Sequence, residues 1–148
     1  MGQKLQLGCG LDPKDGFVNH DIRKHHDYID VAHDLRKFPW PFQDSQFEYI
    51  WFKDCLEHLP DVVATMDECW RICAPGGVMH VTHVHYLHPN TWIDPTHIRG
   101  FHQDSFDYFL EGTFWRNSFP MYTDCVWKLV KRYNDDSSRV VVDISPIK

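Results

Sequence analysis

Apolar and polar positions alternate with a period of two in several short runs along this chain, and recur every three to four residues in one longer run. Leu5 and Leu7 flank Gln6 and stop at Gly8, a short buried strand over 5–7. Positions 18–22 read as a second strand and 29–35 as a third short apolar segment that ends at Asp34-Leu35. Positions 47–52 are aromatic and β-branched, the strongest strand signal in the chain. Asp61 then precedes Val62, Val63, Met66, Cys69, Trp70 and Cys73, whose spacing predicts a helix to about residue 73 with one buried face and an Asp N-cap. Pro75-Gly76-Gly77 ends that helix and turns the chain into a strand over 78–84, where His80 and His83 interrupt the apolar set.

Between these elements the punctuation is informative. Pro13 and Gly16 make 11–17 a loop too short for a crossover helix, and Pro39 and Pro41 force an extended passage. Residues 85–122 form a long aromatic-rich insertion with one predicted helix over 103–110, capped near Asp104. Two terminal strands, 126–133 and 139–144, are joined by Asn134-Asp135-Asp136-Ser137-Ser138, a hairpin signal. Strands separated by crossovers and then a terminal hairpin predict an α/β sheet with an antiparallel edge. At 148 residues the chain is expected to be one domain over 1–148.

Composition narrows the setting. Hydrophobic residues at 43% and charged residues at 24% are ordinary for a soluble globular domain. Without a run of about eighteen apolar residues there is no predicted membrane span, and the polar start is not a signal peptide. Five scattered cysteines without a Cys-x-x-Cys pair suit reduced thiols, and a cytoplasmic location is expected. A formal net charge of −6 with no basic stripe argues against a nucleic-acid surface. Eleven histidines and 15% aromatics point instead to a pocket-rich, metal- or proton-handling surface.

The chemistry begins at Gly8-Cys9-Gly10, where a strand runs directly into paired glycines. With no Cβ in the way, a nucleotide-like ligand can approach such a backbone closely. Asp21 follows at the tip of the second strand, where an acid can accept hydrogen bonds from both ribose hydroxyls. The pair reads as a nucleoside-cofactor site. A nicotinamide dinucleotide is disfavoured, because no later glycine completes that fingerprint.

Several segments in order resemble the class I S-adenosylmethionine (SAM) dependent methyltransferases, in the small type 11-like group. They are Leu5-x-Leu7-Gly8-Cys9-Gly10, Asp21, Asp34-Leu35, Pro39-x-Pro41-Phe42-x-Asp44-x-x-Phe47-Glu48-Tyr49, Leu56-Glu57-His58-Leu59 and Trp70-Arg71-x-x-x-Pro75-Gly76-Gly77. Asp94-Pro95-Thr96-His97-x-Arg99-x-Phe101 leading to Ser105-Phe106 resembles a segment of sugar- and polysaccharide-associated members. The resemblance covers about residues 4–110. It implies a Rossmann-like sheet in the order 3-2-1-4-5-7-6 with strand 7 antiparallel, here without the N-terminal cap helices. It further implies SAM as cofactor, with Gly8, Cys9 and Gly10 against its methionine part. Asp21 would hold the ribose diol with Ile22 beside it, Asp34 the adenine amino group with Leu35 against the ring, and Asp54 would face the methyl donor. Members often carry an acid where this chain has Gln6, and a third glycine where it has Asp12. Gln6 would bond the methionine ammonium without charge assistance.

Methyl transfer to a hydroxyl or amine needs an oriented nucleophile and a base. His83, His85, His88 and His97 are the candidates, with Asp94 nearby. Asp54-x-x-Glu57-His58 is similar to a metal-binding pattern of some methyltransferases, among them small-RNA 2′-O-methyltransferases and ubiquinone-pathway enzymes. Leu-Glu-His-Leu is also common in members without metal, so a divalent metal on Asp54, Glu57 and His58 with a downstream histidine is the lesser reading and no metal the leading one. Tyr86, Trp92, Phe101, Phe106, Tyr108, Phe109, Phe114 and Trp115 read as the wall of an acceptor pocket, as core, or as a homodimer patch. The expected activity is SAM-dependent methylation of an oxygen or nitrogen of a small molecule or glycan. The alternative is a catalytically silent methyltransferase-like domain used in binding or assembly.

Overall fold

The alternating runs assemble into one sheet in a computed structural model that describes residues 2–135 and 138–148. Its strands are β1 (Gln3–Leu7), β2 (Val18–Asp21), β3 (Val31–Ala32), β4 (Phe47–Lys53), β5 (Cys73–Val84), β6 (Val126–Asn134) and β7 (Arg139–Ile147). They lie in the order β3-β2-β1-β4-β5-β7-β6. The first five pair in parallel, and β7 is antiparallel to both β5 and β6. Order and direction are those expected. The hairpin between β6 and β7 is present, although Asp136 and Ser137 of its predicted turn lie outside the described residues. No helix among the described residues is long and apolar enough to cross a membrane.

Register turns the period-two pattern into two unlike faces. Leu5 pairs Ile50, Ile50 pairs Met79 and Met79 pairs Ile144, while Leu7, Phe52, Val81 and Val142 form the next such row. All eight are buried and belong to the core, together with Met66, Cys69 and Ile72 of helix α1 (Val62–Ile72). The row between them is Gln6, Trp51, His80 and Asp143, on the opposite face. There His80 stacks on Trp51 with ring centroids 4.3 Å apart, and its Nδ1 lies 2.5 Å from Asp143 Oδ1. Lys14 Nζ sits 4.3 Å over the Trp51 ring.

Helix α1 begins where the sequence places it. Asp61 is extended, and its carboxylate accepts from the Ala64 amide at 2.9 Å. Three expectations need correcting. β5 starts at Cys73 with no intervening turn, because a register shift between Phe47 and Tyr49 absorbs the Pro75-Gly76-Gly77 segment within the strand. Of the apolar segment 29–35 only two residues form β3: the Asp34 carboxylate accepts from the Arg36 amide at 3.0 Å, and the Lys37 amide bonds the Asp34 carbonyl at 2.9 Å, turning the chain away. The predicted helix over 103–110 is a 3-10 helix, Gln103–Tyr108, capped by His102 and Ser105 rather than at Asp104. Two further short helices, α2 (Asn90–Ile93) and α3 (Phe114–Ser118), interrupt the insertion.

Asp61→Ala is expected to lower stability by about 1 kcal/mol in urea unfolding, with Asp61→Asn near wild type because Asn also caps. Equal losses in both variants would show that the cap is not what matters there.

Candidate functional site

The turn after β1 is held by the tip of β2. The Cys9 amide donates to the His20 carbonyl at 2.8 Å, and the Gly10 amide to Asp21 Oδ2 at 2.7 Å. The Gly8 amide points at His20 Nδ1 at 3.4 Å, and His20 Nε2 donates to the His33 carbonyl at 2.8 Å. A ring that accepts at one nitrogen and donates at the other is neutral, and burial lowers the His20 pKa, which favours that form. Gly8 has φ +63°, and a Cβ there would fall 2.8 Å from Cys55 Sγ, so the turn requires glycine.

Beside this turn lies a cavity of about 440 Å³ that brings Gly8, Asp21, Ile22, Asp34 and Leu35 together. These five were expected at one site. Asp21 has its two oxygens engaged by the Gly10 and Ile22 amides, both at 2.7 Å, and each carboxylate oxygen retains acceptor capacity. Asp34 is not free as expected. Arg36 grips both its oxygens at 2.8 and 2.9 Å, which holds its pKa at about 2. Gln6, Cys9 and Gly10 are not among the lining residues, and Asp54, expected to face the methyl donor, lines a different cavity instead. Gln6 is 4% exposed; its Nε2 donates to the Asp12 carbonyl at 2.9 Å, and its Oε1 has no partner among the described residues. His20, His33 and Arg36 also line the cavity, and sequence reasoning missed them. Arg36 was detectable from its place two residues past Asp34 in a turn; His20 gave no signal beyond its position beside Asp21.

A second cavity, of about 560 Å³, holds Asp54, Glu57, Asp94, His97 and Arg139. Asp54 follows β4 with φ +49°, its amide on the Thr82 carbonyl at 2.9 Å, and its carboxylate is taken by the Arg139 guanidinium. The 3-10 turn Leu56–His58 sets Glu57 inward, 3% exposed. Burial raises its pKa. The segment carrying Asp94 and His97 is stitched onto that turn: the Ile98 amide donates to the Glu57 carbonyl at 2.9 Å and Arg99 to the Pro60 carbonyl at 2.8 Å. His97 Nε2 then stands 3.7 Å from Asp94 Oδ2 and 3.9 Å from Glu57 Oε1. The Thr96 hydroxyl and amide bond Asp94 and lower its pKa.

The two cavities share a wall. Asp54 and Glu57 face the second, whereas Cys55 and His58 face the first; Asp94 and His97 face the second, whereas Thr96 and Ile98 face the first. Of the expected bases, His97 and Asp94 are thus brought together. His83 is 1% exposed behind Phe101, 4.7 Å between centroids, and lines neither cavity. His85 lines a separate depression with His88. The lesser metal set also changes membership: Asp54 is engaged by Arg139, and the ligand atoms that gather within 4.8 Å are those of Glu57, His58 and His97. None of the eight aromatic residues read as a wall, as core or as a dimer patch lines either of these two cavities. Phe101, Phe106 and Phe109 are core, while Tyr108 and Trp115 stack together at 5.3 Å.

A family model described as a methyltransferase domain matches residues 5–81. The chain belongs to the class I SAM-dependent methyltransferases. Over 74 residues this methyltransferase domain is 32% identical to a Mycolicibacterium smegmatis protein described as a probable S-adenosylmethionine-dependent methyltransferase, 49% of this chain and 28% of that one. The matches to curated relatives span 10%, 13% and 28% of those proteins' lengths. Among solved structures, the Haloferax volcanii methyltransferase complex with the Trm112 activator aligns with TM-score 0.69 at 12% identity, over 99% of this chain and 83% of that one. The N-methyltransferase NodS of Bradyrhizobium japonicum, solved with S-adenosyl-L-homocysteine, aligns with TM-score 0.62 at 14% identity, over 99% and 79%. These two alignments share the methyltransferase domain's sheet.

Burial of His83 pushes its pKa from 6.5 down to about 4. The unfolded chain therefore binds the extra proton first, and this residue's contribution to stability is complete above about pH 6.5 and lost as pH falls towards 4. Urea unfolding of the methyltransferase domain is expected to lose on the order of 2 kcal/mol through His83 across that window. The His83→Gln variant is expected to show a shallower slope; an unchanged slope would contradict this.

Proposed function

We propose that this domain binds SAM in the cavity beside Gly8 and Asp21, and methylates an oxygen or nitrogen of a small molecule or glycan held in the second cavity. The observation that carries the reading is the shared wall. The Gly8 turn and the Asp21 carboxylate converge on one side of it, and a His97 base paired with Asp94 stands on the other.

The residues present fit the cofactor. The remaining acceptor capacity of Asp21 suits a ribose diol, and Leu35 and Ile22 offer apolar surface to an adenine ring. Gln6 Oε1 is buried and unpartnered but does not line this cavity, so the contact to a methionine ammonium that the resemblance implies forms no part of the fit. Arg36 must share Asp34 with an adenine amino group, which weakens that contact. When bound, SAM supplies an electrophilic methyl on a sulfonium, open to in-line displacement.

The chain's own part is to orient the acceptor and to remove its proton. His97 Nδ1 donates to the Thr91 carbonyl at 2.8 Å, so in the neutral ring Nε2 carries the lone pair that takes the proton. Asp94, kept ionised by Thr96, stabilises the imidazolium formed. The polar lining of Asp54, Glu57, Asp94 and Arg139 suits a hydroxylated or amino acceptor better than an apolar one.

Titration calorimetry is expected to show saturable SAM binding and none for NAD. Asp21→Ala should weaken SAM binding by about 1–3 kcal/mol, the range for hydrogen bonds to a charged group. Affinity unchanged in that variant would remove the cofactor assignment. SAM binding without transfer to any hydroxyl or amine acceptor would favour the silent alternative.

A further inference from the structure

The wall between the cavities contains three polar side chains that hydrogen bonding leaves incomplete. Glu57 is 3% exposed, and its Oε2 has no partner among the described residues. A buried carboxylate oxygen without a donor is costly, so something outside the chain is expected to meet it. His58 and His97 stand against it, their ring centroids 4.7 Å apart.

Both rings are set in the same tautomer by what lies behind them. His97 Nδ1 is 2.8 Å from the Thr91 carbonyl, which can only accept, so Nδ1 carries the proton. Thr96 Oγ1 donates its one proton to Asp94 Oδ1 at 2.6 Å, so at 3.0 Å from His58 Nδ1 it accepts, and that nitrogen too is protonated. Each neutral ring therefore presents Nε2 as a lone pair, and neither Nε2 makes a hydrogen bond among the described residues. An Nδ1 held by a carbonyl or by a carboxylate-backed hydroxyl is the support that orients metal-binding imidazoles. An ion pair alone does not account for the group, because His97 Nε2 lies 3.9 Å from Glu57 Oε1, beyond hydrogen-bond range.

We propose that Glu57, His58 and His97 form a divalent-cation site in the wall between the two cavities. One ligand atom from each already lies within 4.8 Å of the others. Closure to the separation of about 3 Å set by bonds near 2.1 Å takes small side-chain rotations. Two imidazoles and one carboxylate select Mn²⁺, Fe²⁺, Co²⁺ or Zn²⁺ over Mg²⁺ or Ca²⁺. Three protein ligands leave positions for an acceptor hydroxyl, whose pKa the cation lowers; with the cation bound, His97 Nε2 is a ligand rather than the base, and the acidified hydroxyl loses its proton to solvent. Asp54 takes no part, since Arg139 holds it. The role in acceptor activation rests on the methyltransferase reading; cation binding itself does not.

The test is a cobalt titration of the full chain after EDTA treatment at pH 7.5, read by the visible absorption of Co²⁺. One equivalent is expected to bind, with Glu57→Gln and His97→Gln weakening it about a hundredfold or more, as loss of a direct ligand should exceed an outer-shell effect. Thr96→Val, which touches the metal only through His58, should weaken it about ten- to a hundredfold. His88→Gln, outside the cluster, should leave it unchanged. Absence of saturable binding, or binding that both Glu57→Gln and His97→Gln leave intact, would overturn the site. Circular dichroism checks each variant, and if Glu57→Gln does not fold, His97→Gln with Thr96→Val decides. SAM calorimetry on the metal-free chain separates the two proposals. SAM binding without cobalt binding removes the cation site alone, and cobalt binding without SAM binding removes the cofactor reading alone.

Discussion

The hydrogen bond from the Gly10 amide to the Asp21 carboxylate is the constraint on which the rest of the molecule depends. Together with Cys9 to the His20 carbonyl, it ties the turn after β1 to the end of β2. A turn with positive φ at both Gly8 and Gly10 has few local bonds of its own. Residues 11–17 form a loop, so no helix N-terminus follows to fix that turn. The neighbouring strand does so instead, through one neutral imidazole and one carboxylate. The first cavity has its shape because these backbone amides cannot move independently of β2.

The second constraint is the stitching of two segments distant in sequence. Residues 54–58 leave the end of β4, and residues 94–99 come from the insertion after β5, joined by the Ile98–Glu57 and Arg99–Pro60 bonds. Along both segments, neighbouring side chains fall to opposite sides. The result is a wall one chain thick, with His58 and Thr96 facing one cavity and Glu57, Asp94 and His97 the other. Displacement at a methyl group demands reacting atoms about 3 Å apart, so transfer between ligands of the two cavities requires them to meet at an edge of this wall rather than across it.

Much of this was legible in the chain. Period-two runs located the strands, and Asp61 with its three- and four-residue spacing located α1, because burial of one face leaves a direct trace in sequence. Gly8, Asp21, Ile22, Asp34 and Leu35 were expected together and share a cavity. What was not legible depends on contacts far apart in sequence. The eclipse of Asp54 by Arg139 spans 85 residues, and nothing near either residue announces it. His83 and His85 looked equivalent to His97 until the strand buried the first and the insertion carried the second elsewhere. Phe101, Phe106 and Phe109 were legible as apolar, but not as core rather than pocket wall, since both uses leave the same composition; Trp92 and Phe114 stay exposed.

The proposed SAM site is the cavity pinned between Gly8 and Asp21. Amide NMR of the labelled chain during addition of S-adenosyl-L-homocysteine tests it most directly. Saturable shifts concentrated at Gly8, Gly10, Ile22, Leu35 and His58 are the predicted result. Saturable shifts confined to other parts of the sheet, or none at millimolar ligand, would contradict it.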